Sequence, residues 1–307
     1  MRMNKPGISV VMATYNGGKY LKEQLESIFS QTLLPSEIIV CDDGSTDDTL
    51  RILKSCSNND LLRYVANPQT LGVIENFKKA ASLASEENFI AFADQDDVWM
   101  PHKLEELYKK MHNLNYMRSP ALVYSDLKLV DRDLRTINNS FWNELKVSSK
   151  DHCLEGLFLR NIVTGCSMLI NQKMKEIFLK MPSGIYMHDA WIAFAAYAFG
   201  EVGVVHDSLL CYRQHEHNIT FSDSVKINER GSVAARVMKI ISELLNGSAL
   251  LVNELQLAND FYTCFNQCLA PEVAQKIKGF LSLQHKNVLQ RKKFIKNIKK
   301  SISAKKG

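Results

Sequence analysis

Apolar and polar positions alternate in blocks along the first hundred residues. Ile8-Ser-Val-Val-Met-Ala13 is a short apolar run with β-branched residues, broken by Asn16-Gly17-Gly18, and predicts a buried strand. Leu21, Leu25, Ile28 and Phe29 recur at helical spacing between Tyr20 and Ser30. Strand-like runs from Glu37 to Cys41, Leu62 to Val65 and Phe89 to Ala93 then alternate with helix-like segments from Thr49 to Lys54 and Val73 to Ser85. Short-range alternation of this kind predicts βαβ units: an α/β, Rossmann-like fold with a mainly parallel sheet flanked by helices. Ligands of such sheets sit beyond the carboxyl ends of the strands. The polar clusters at 14–18, 42–45 and 94–97 all fall at those ends.

The second half is less regular. Runs from Ala121 to Tyr124 and Ser167 to Ile170 read as strands, the segment from Asp189 to Phe199 as a helix, and those from Val202 to Val205 and Leu209 to Tyr212 as two more strands. Past about Asp223 the spacing turns helical, through Val233, Val237, Ile240, Ile241, Leu244 and Leu245, then from Leu250 to Cys268 and Val273 to Leu283. This change divides the chain into a domain over 1–222 and a helical C-terminal region over 223–307, whose helices are also a candidate homodimer surface.

Composition narrows the setting. Apolar residues make up 46% of 307, enough to bury a sizeable core. The longest apolar runs are too short to span a bilayer, and the N-terminus lacks the apolar core of a signal peptide, so a cytoplasmic location is expected. The seven cysteines form no CxxC pair and read as small buried hydrophobes. From Lys286 onward there are nine Lys/Arg and no acid; taking those nine from the net charge of +5 leaves −4 on the residues before them. Val288, Ile295, Ile298 and Ile302 lie on one helical face among those lysines, a pattern suited to peripheral contact with an anionic membrane surface and equally to a solvated terminus. Nucleic acid is not an expected partner, since the body is net acidic and the tail carries no recognised binding motif.

The chemistry concentrates in Asp94-Gln95-Asp96-Asp97-Val-Trp99-Met-Pro101. Carboxylates clustered after a buried strand can hold a hard divalent cation, which in turn grips a diphosphate. Asp97 also reads as a cap for the helix that follows. Tyr15 and Asp43 could supply a stacking face and an acceptor for a nucleobase, although Asn16-Gly17-Gly18 and Asp43-Gly44-Ser45 also read as ordinary turns. Asp189, in Met187-His188-Asp189-Ala-Trp191, is a candidate general base or a first-turn acid matching a helix dipole. Arg213-Gln214-His215-Glu-His217-Asn218 is a polar knot after a strand, with His215 a further candidate ligand. Tyr15-Asn16-Gly17-Gly18-Lys19 is no GxGxxG, which argues against a dinucleotide oxidoreductase.

In order and spacing, Val10-Val-Met-Ala-Thr-Tyr15-Asn16-Gly17, Val40-Cys-Asp42-Asp43-Gly44-Ser45-Thr-Asp47 and Asp94-Gln-Asp96-Asp97-Val-Trp-Met-Pro101 resemble family 2 glycosyltransferases over about residues 7–220. The resemblance implies the GT-A fold, with a nucleotide-sugar half over about 1–100, an acceptor half over 101–222 and an inverting mechanism. It makes Tyr15 and Asp43 nucleobase contacts, Asp94 and Asp96 the DxD pair for Mg2+ or Mn2+, and Asp189 the catalytic base. Relatives carry an acidic pair at that last position, whereas here His188 precedes Asp189. Asn67, Gly72 and Asn76 resemble the family's loop after the third strand. The candidate set is therefore Ala13, Tyr15, Asp43, Asn76, Asp94 and Gln95 for the nucleotide; Asp96, Asp94 and His215 for the metal; and Trp99, His188, Trp191, Arg213 and Gln214 for acceptor or phosphate. The Asp-Gln-Asp-Asp-Val-Trp form with Arg213-Gln-His215 resembles the bacterial rhamnosyltransferase-like subset of surface polysaccharide (O-antigen or capsule) assembly. It implies dTDP-L-rhamnose as donor and a saccharide acceptor, often lipid-linked, at the cytoplasmic face of the inner membrane. A UDP-hexose donor (UDP-Gal, UDP-Glc or UDP-GlcNAc) and a non-catalytic nucleotide-sugar-binding relative are the alternatives.

Overall fold

The computed structural model describes residues 6–215 and 251–304. His217, Asn218, the stretch at 222–232 and the helical spacing from Val233 to Leu245 lie outside the described residues. The chain divides into two compact units, Met1–Lys146 with Val163–Arg213, and Val147–Ile162 with Gln214–Gly307.

The first unit begins with β1 (Ile8–Thr14), α1 (Leu21–Phe29), β2 (Glu37–Asp42), α2 (Thr49–Cys56), β3 (Leu62–Ala66), α3 (Val73–Leu83) and β4 (Phe89–Ala93). It continues with β5 (Val98–Trp99), α4 (Lys103–His112), β6 (Ala121–Val130), β7 (Thr136–Asn138), α5 (Phe141–Glu144), β8 (Met168–Ile170), α7 (Gln172–Leu179), α8 (His188–Phe199) and β9 (Glu201–Arg213), with α6 (Leu154–Leu157) belonging to the second unit. Among the described residues the strands form one sheet in the order β3-β2-β1-β4-β8-β6-β9-β5, with β7 beside β6. β1 to β4 run parallel, β8 is antiparallel to β4 and β6, and β9 is parallel to β6. The α/β, mainly parallel sheet expected from the alternating pattern is the one observed.

The continuous apolar runs suit strands covered on both faces: Ile8, Val10, Val11 and Met12 of β1 are all buried, as are Phe89 to Ala93 of β4. On α1, Leu21, Leu25 and Ile28 have no exposed surface, and each such burial stabilises by about 1.5–3 kcal/mol. Register aligns the strand ends: Thr14 pairs with Asp42, Met12 with Ala93, and Asp42 with Ala66. The loops after β1, β2 and β4 therefore emerge side by side.

One strand replaces the two expected between Val202 and Tyr212. The polar His206-Asp207 reads as a break, but the ladder absorbs it: Val205 pairs with Ser125 and Ser208 with Asp126, so two residues are bulged out. β5 and β7 were not expected; two and three residues are too few to show a period.

The second unit contains α9 (Val252–Phe265), α10 (Pro271–Leu281) and α11 (Val288–Ala304). Phe158 stacks on Phe280 at 4.5 Å, with Phe294 6.0 Å from Phe280. Lys276 pairs with Glu155 at 2.9 Å. Arg291 is buried and donates to the carbonyls of Leu283 (3.1 Å) and Gln284 (3.2 Å). Ile302 is buried too, so the apolar face of α11 packs within its own unit, while Lys292, Lys293, Lys296, Lys299 and Lys300 are exposed. No helix among the described residues is long and apolar enough to cross a membrane.

Candidate active site

Three loops are tied together at the carboxyl ends of β1, β2 and β4. Asp42, wholly buried, accepts from Thr14 Oγ1 (2.8 Å), Ser45 Oγ (2.6 Å) and Ser45 N (2.9 Å), which fixes the turn after β2. Gln95 and Tyr15 exchange two hydrogen bonds: Tyr15 N donates to Gln95 Oε1 (2.9 Å), and Gln95 Nε2 donates to Tyr15 O (3.1 Å). A Cβ on Gly17 would sit 2.2 Å from Gln95 Oε1, so a larger residue there would displace the Gln95 amide from Tyr15. Tyr15 is left 56% exposed, with a ring face open to a ligand, and Ala13 beneath it is half-buried.

Asp43 is buried, and its carboxylate organises the loop after β3. Oδ1 accepts from Asn67 Nδ2 (2.9 Å) and Leu71 N (2.7 Å), and Oδ2 from Gly72 N (2.8 Å). A carboxylate has about four acceptor sites, so these three bonds leave capacity for one further donor. Asn76 lies beneath, donating to Cys41 O (2.7 Å) and accepting from Asn67 (2.8 Å). Its amide is spent inside the protein, which makes it a support for Asp43 rather than a surface contact.

The Asp94–Asp97 turn divides by depth. Asp94 and Asp96 are half-buried, while Asp97 has no exposed surface. Burial, then the charge of Asp96, pushes the Asp94 carboxyl up to about 7, with Asp189 adding to the rise. Burial and the charges of Asp96 and Asp94 also raise Asp97. Asp97 does not cap α4: it accepts from Arg213 N (3.2 Å), and its Oδ2 is buried with no hydrogen-bond partner. Asp94, Asp97 and Cys166 offer ligand atoms within 4.8 Å of one another. Burial and those two carboxylates hold the Cys166 thiol well above its ordinary range, and the oxygens of Asp94 and Asp97 are the hard donors of the group. That donor set fits a hard divalent cation such as Mg2+ or Mn2+.

Asp189, in the first turn of α8, is buried and accepts from Gly165 N at 3.1 Å. Gly165 precedes Cys166, whose sulfur lies within 4.8 Å of the Asp94 and Asp97 carboxylates, so this hydrogen bond ties the candidate base to the surroundings of the DxD turn. Four expected acceptor or phosphate contacts are turned inward instead. His188 is packed against Phe77, Phe92 and Phe178 with centroids 4.7, 5.3 and 6.0 Å away, and burial lowers it to about 4, leaving it neutral. Trp191 is fully buried and donates to Ile177 O. Trp99 is buried beneath Lys103. Arg213, also buried, donates to Asp96 O (2.8 Å), Arg132 O (2.7 Å) and Glu23, with its guanidinium 4.5 Å over Tyr20; it braces the turn. Gln214 and His215 belong to the second unit. Sequence reasoning missed Gly165, Cys166 and Lys103; each is a lone residue whose partners come from distant strands and helices, so no local pattern marks it.

The chain is similar to known proteins in sequence and in fold. An uncharacterized glycosyltransferase of Methanocaldococcus jannaschii is 30% identical over 69% of this chain and 72% of its own length. A counterpart in Rickettsia typhi is 27% identical over 70% and 66%. Among solved structures, S. aureus TarS 1-349 superposes with a TM-score of 0.59 at 18% identity, covering 91% of this chain and 71% of that one. The same TarS segment in complex with UDP-GlcNAc gives 0.54 at 20%, covering 91% and 81%. The fold is thus GT-A with C-terminal helices. The model of glycosyl transferase family 2 matches residues 9–178, more than half of the chain, and the chain belongs to that family.

Proposed function

We propose that this protein is an inverting, metal-dependent transferase that moves a sugar from a nucleoside-diphosphate donor to a hydroxyl of a saccharide acceptor. The observation that carries the reading is that Asp189 accepts from Gly165 N at 3.1 Å, while the next residue, Cys166, offers its sulfur within 4.8 Å of the Asp94 and Asp97 carboxylates. A turn with the oxygen donors for a cation next to a buried carboxylate that can act as a base is what an in-line displacement requires. Asp189 takes the proton of the acceptor hydroxyl while that oxygen bonds to the anomeric carbon. The C–O bond to the diphosphate breaks with its electron pair leaving on the nucleotide, and the configuration inverts. Asp94 and Asp96, the accessible edge of the turn, would hold Mg2+ or Mn2+, which when bound offsets charge on the leaving diphosphate. Tyr15 stacks on the base and Asp43 accepts its imide N–H.

The motif form Asp94-Gln-Asp96-Asp97-Val-Trp supports L-rhamnose from dTDP-L-rhamnose as donor, in O-antigen or capsule assembly on a lipid-linked acceptor, with the lysine face of α11 resting on the cytoplasmic surface of the membrane. A UDP-hexose is the second reading, favoured by the fold shared with TarS, whose crystal structure was solved with UDP-GlcNAc. The test is metal-dependent release of nucleoside diphosphate from a panel of nucleotide sugars, with and without Mn2+. Turnover of dTDP-L-rhamnose above the UDP-sugars supports the first reading. The reverse supports the second, and no turnover of any donor leaves a non-catalytic binding protein.

A further inference from the structure

Lys103 is the first residue of α4 and has no exposed surface. That is a costly place for an ammonium twice over: burial disfavours the charge, and the helix N-terminus carries the positive end of the dipole. Its Nζ donates to Cys166 O at 2.6 Å and lies 3.2 Å from the centroid of the Trp99 ring. The carboxylates of Asp97 and Asp94 pull on the same charge and partly oppose the burial that lowers this ammonium to about 7. The turn it grips, 164–167, has a second role. Its next residue back, Gly165, donates its N–H to Asp189 at 3.1 Å, and a Cβ on Gly165 would sit 2.7 Å from His188 Nε2. One side chain therefore connects the floor of the Asp94–Asp97 turn to the backbone that presents Asp189.

We propose that Lys103 is a positioning residue for transfer: its buried ammonium holds the 164–167 turn against the Asp94–Asp97 floor, so that Asp189 stands in register with the bound diphosphate. The role rests on the reading of the site given above. It explains why a lysine occupies a sealed helix start, since the carbonyl, the ring face and the two carboxylates compensate a charge that neither burial nor the dipole favours. A misplacement of a base by about 1 Å costs on the order of 10²-fold in rate, while the nucleotide subsite at Tyr15 and Asp43 stands on other strands.

The test compares the full-length wild type with K103M, K103R and D189N. The probes are calorimetric binding of UDP with MnCl2, and hydrolysis of UDP-GlcNAc and dTDP-L-rhamnose, in which water replaces the acceptor hydroxyl. K103M is expected to remain folded by circular dichroism, bind Mn2+–UDP within about threefold of wild type, keep the donor KM and lose about 10–10²-fold in kcat. K103R, which keeps the charge and donors, is expected to recover most of that loss. A purely structural role would lower the folded fraction without this split between kcat and KM. Wild-type kcat in K103M, a loss of nucleotide binding equal to the loss of kcat, or insolubility of both substitutions overturns the proposal. Hydrolysis lost in D189N but intact in K103M fails the role of Lys103 alone, whereas a wild type that hydrolyses neither donor fails the reading of the site and the proposal with it.

Discussion

Gly165 donates its backbone N–H to Asp189 Oδ2 at 3.1 Å, which aims the carboxylate of α8 from a turn on another element. Asp189→Asn keeps the size of the side chain and removes the base. Removing a general base costs on the order of 10²–10⁴ in rate, and that loss is expected in kcat for donor turnover, with Mn2+–UDP affinity by calorimetry and the folded circular dichroism spectrum unchanged. Wild-type kcat in this variant would remove Asp189 from the mechanism.

Gly165 itself is constrained by His188. An added Cβ would stand 2.7 Å from Nε2, and the ring cannot retreat because Phe77 and Phe92 lie 4.7 and 5.3 Å away. Overpacking of this kind costs about 1–3 kcal/mol. Gly165→Ala is therefore expected to lower the melting temperature by several degrees and to cut kcat about tenfold by shifting the first turn of α8. Unchanged melting and turnover would mean that the turn yields freely.

Much of the fold is legible in the sequence because its strands are continuous apolar runs and its helices carry wide apolar stripes; β1, β2, β4, α1 and α3 stand within two residues of the expected bounds. The motifs at Tyr15, Asp43 and Asp94–Asp97 are legible because short loops follow those strands. Depth is not. Arg213, Trp99, His188 and Trp191 look like contact residues in a string of letters, yet burial and partners such as Glu23, Asp96 O and the Phe77–Phe92 pair give them bracing and packing roles. Asp97 and Lys103 show the converse: a residue that reads as a cap and one that no sequence pattern marks form the floor of the turn. Packing between distant segments decides such roles, and periodicity carries no trace of it.

The raised Asp94 carboxyl makes cation binding pH-dependent. Its pKa of about 7 stands above the ordinary 3.8 because burial and Asp96 disfavour the ionised form. A cation needs the ionised form, so binding releases a proton below about pH 7, and affinity for Mn2+ is expected to fall roughly tenfold per unit as pH drops from 7 to 5. The sign for stability is opposite in the metal-free protein: the folded state holds a proton that the unfolded state has lost between about 4 and 7, so stability falls as pH rises through that window. Mn2+ titrations and thermal melts at pH 5, 6, 7 and 8 check both. Flat Mn2+ affinity would mean that Asp94 is ionised throughout.

The C-terminal helix separates two kinds of membrane contact. Its apolar face is engaged within its own unit by Ile302 and by Phe294 beside Phe280, so the membrane contact proposed above rests on the exposed lysines and is electrostatic in kind. Each such lysine contributes about 1 kcal/mol near an anionic surface. Replacing Lys292, Lys293, Lys296, Lys299 and Lys300 by Gln is expected to abolish co-sedimentation with phosphatidylglycerol vesicles while leaving hydrolysis of soluble donors unchanged. High salt should release the wild type in the same way. Binding that survives both would require insertion of the apolar face.

Asp43 carries two duties that one substitution can separate. Its oxygens accept from Asn67 Nδ2, Leu71 N and Gly72 N at 2.9, 2.7 and 2.8 Å. An amide offers one oxygen and one NH2, so Asp43→Asn sets a donor against the N–H of Leu71 or of Gly72. An unsatisfied buried donor costs about 1–3 kcal/mol, and the loop at 67–72 bears it. Asn67→Ala removes only one of the three bonds and leaves the carboxylate in place. If Asp43 also accepts a nucleobase N–H, Asp43→Asn weakens Mn2+–UDP binding about tenfold or more while Asn67→Ala weakens it about twofold, with similar losses in melting temperature. Equal affinities in the two variants would confine Asp43 to bracing the loop and leave the nucleobase to Tyr15.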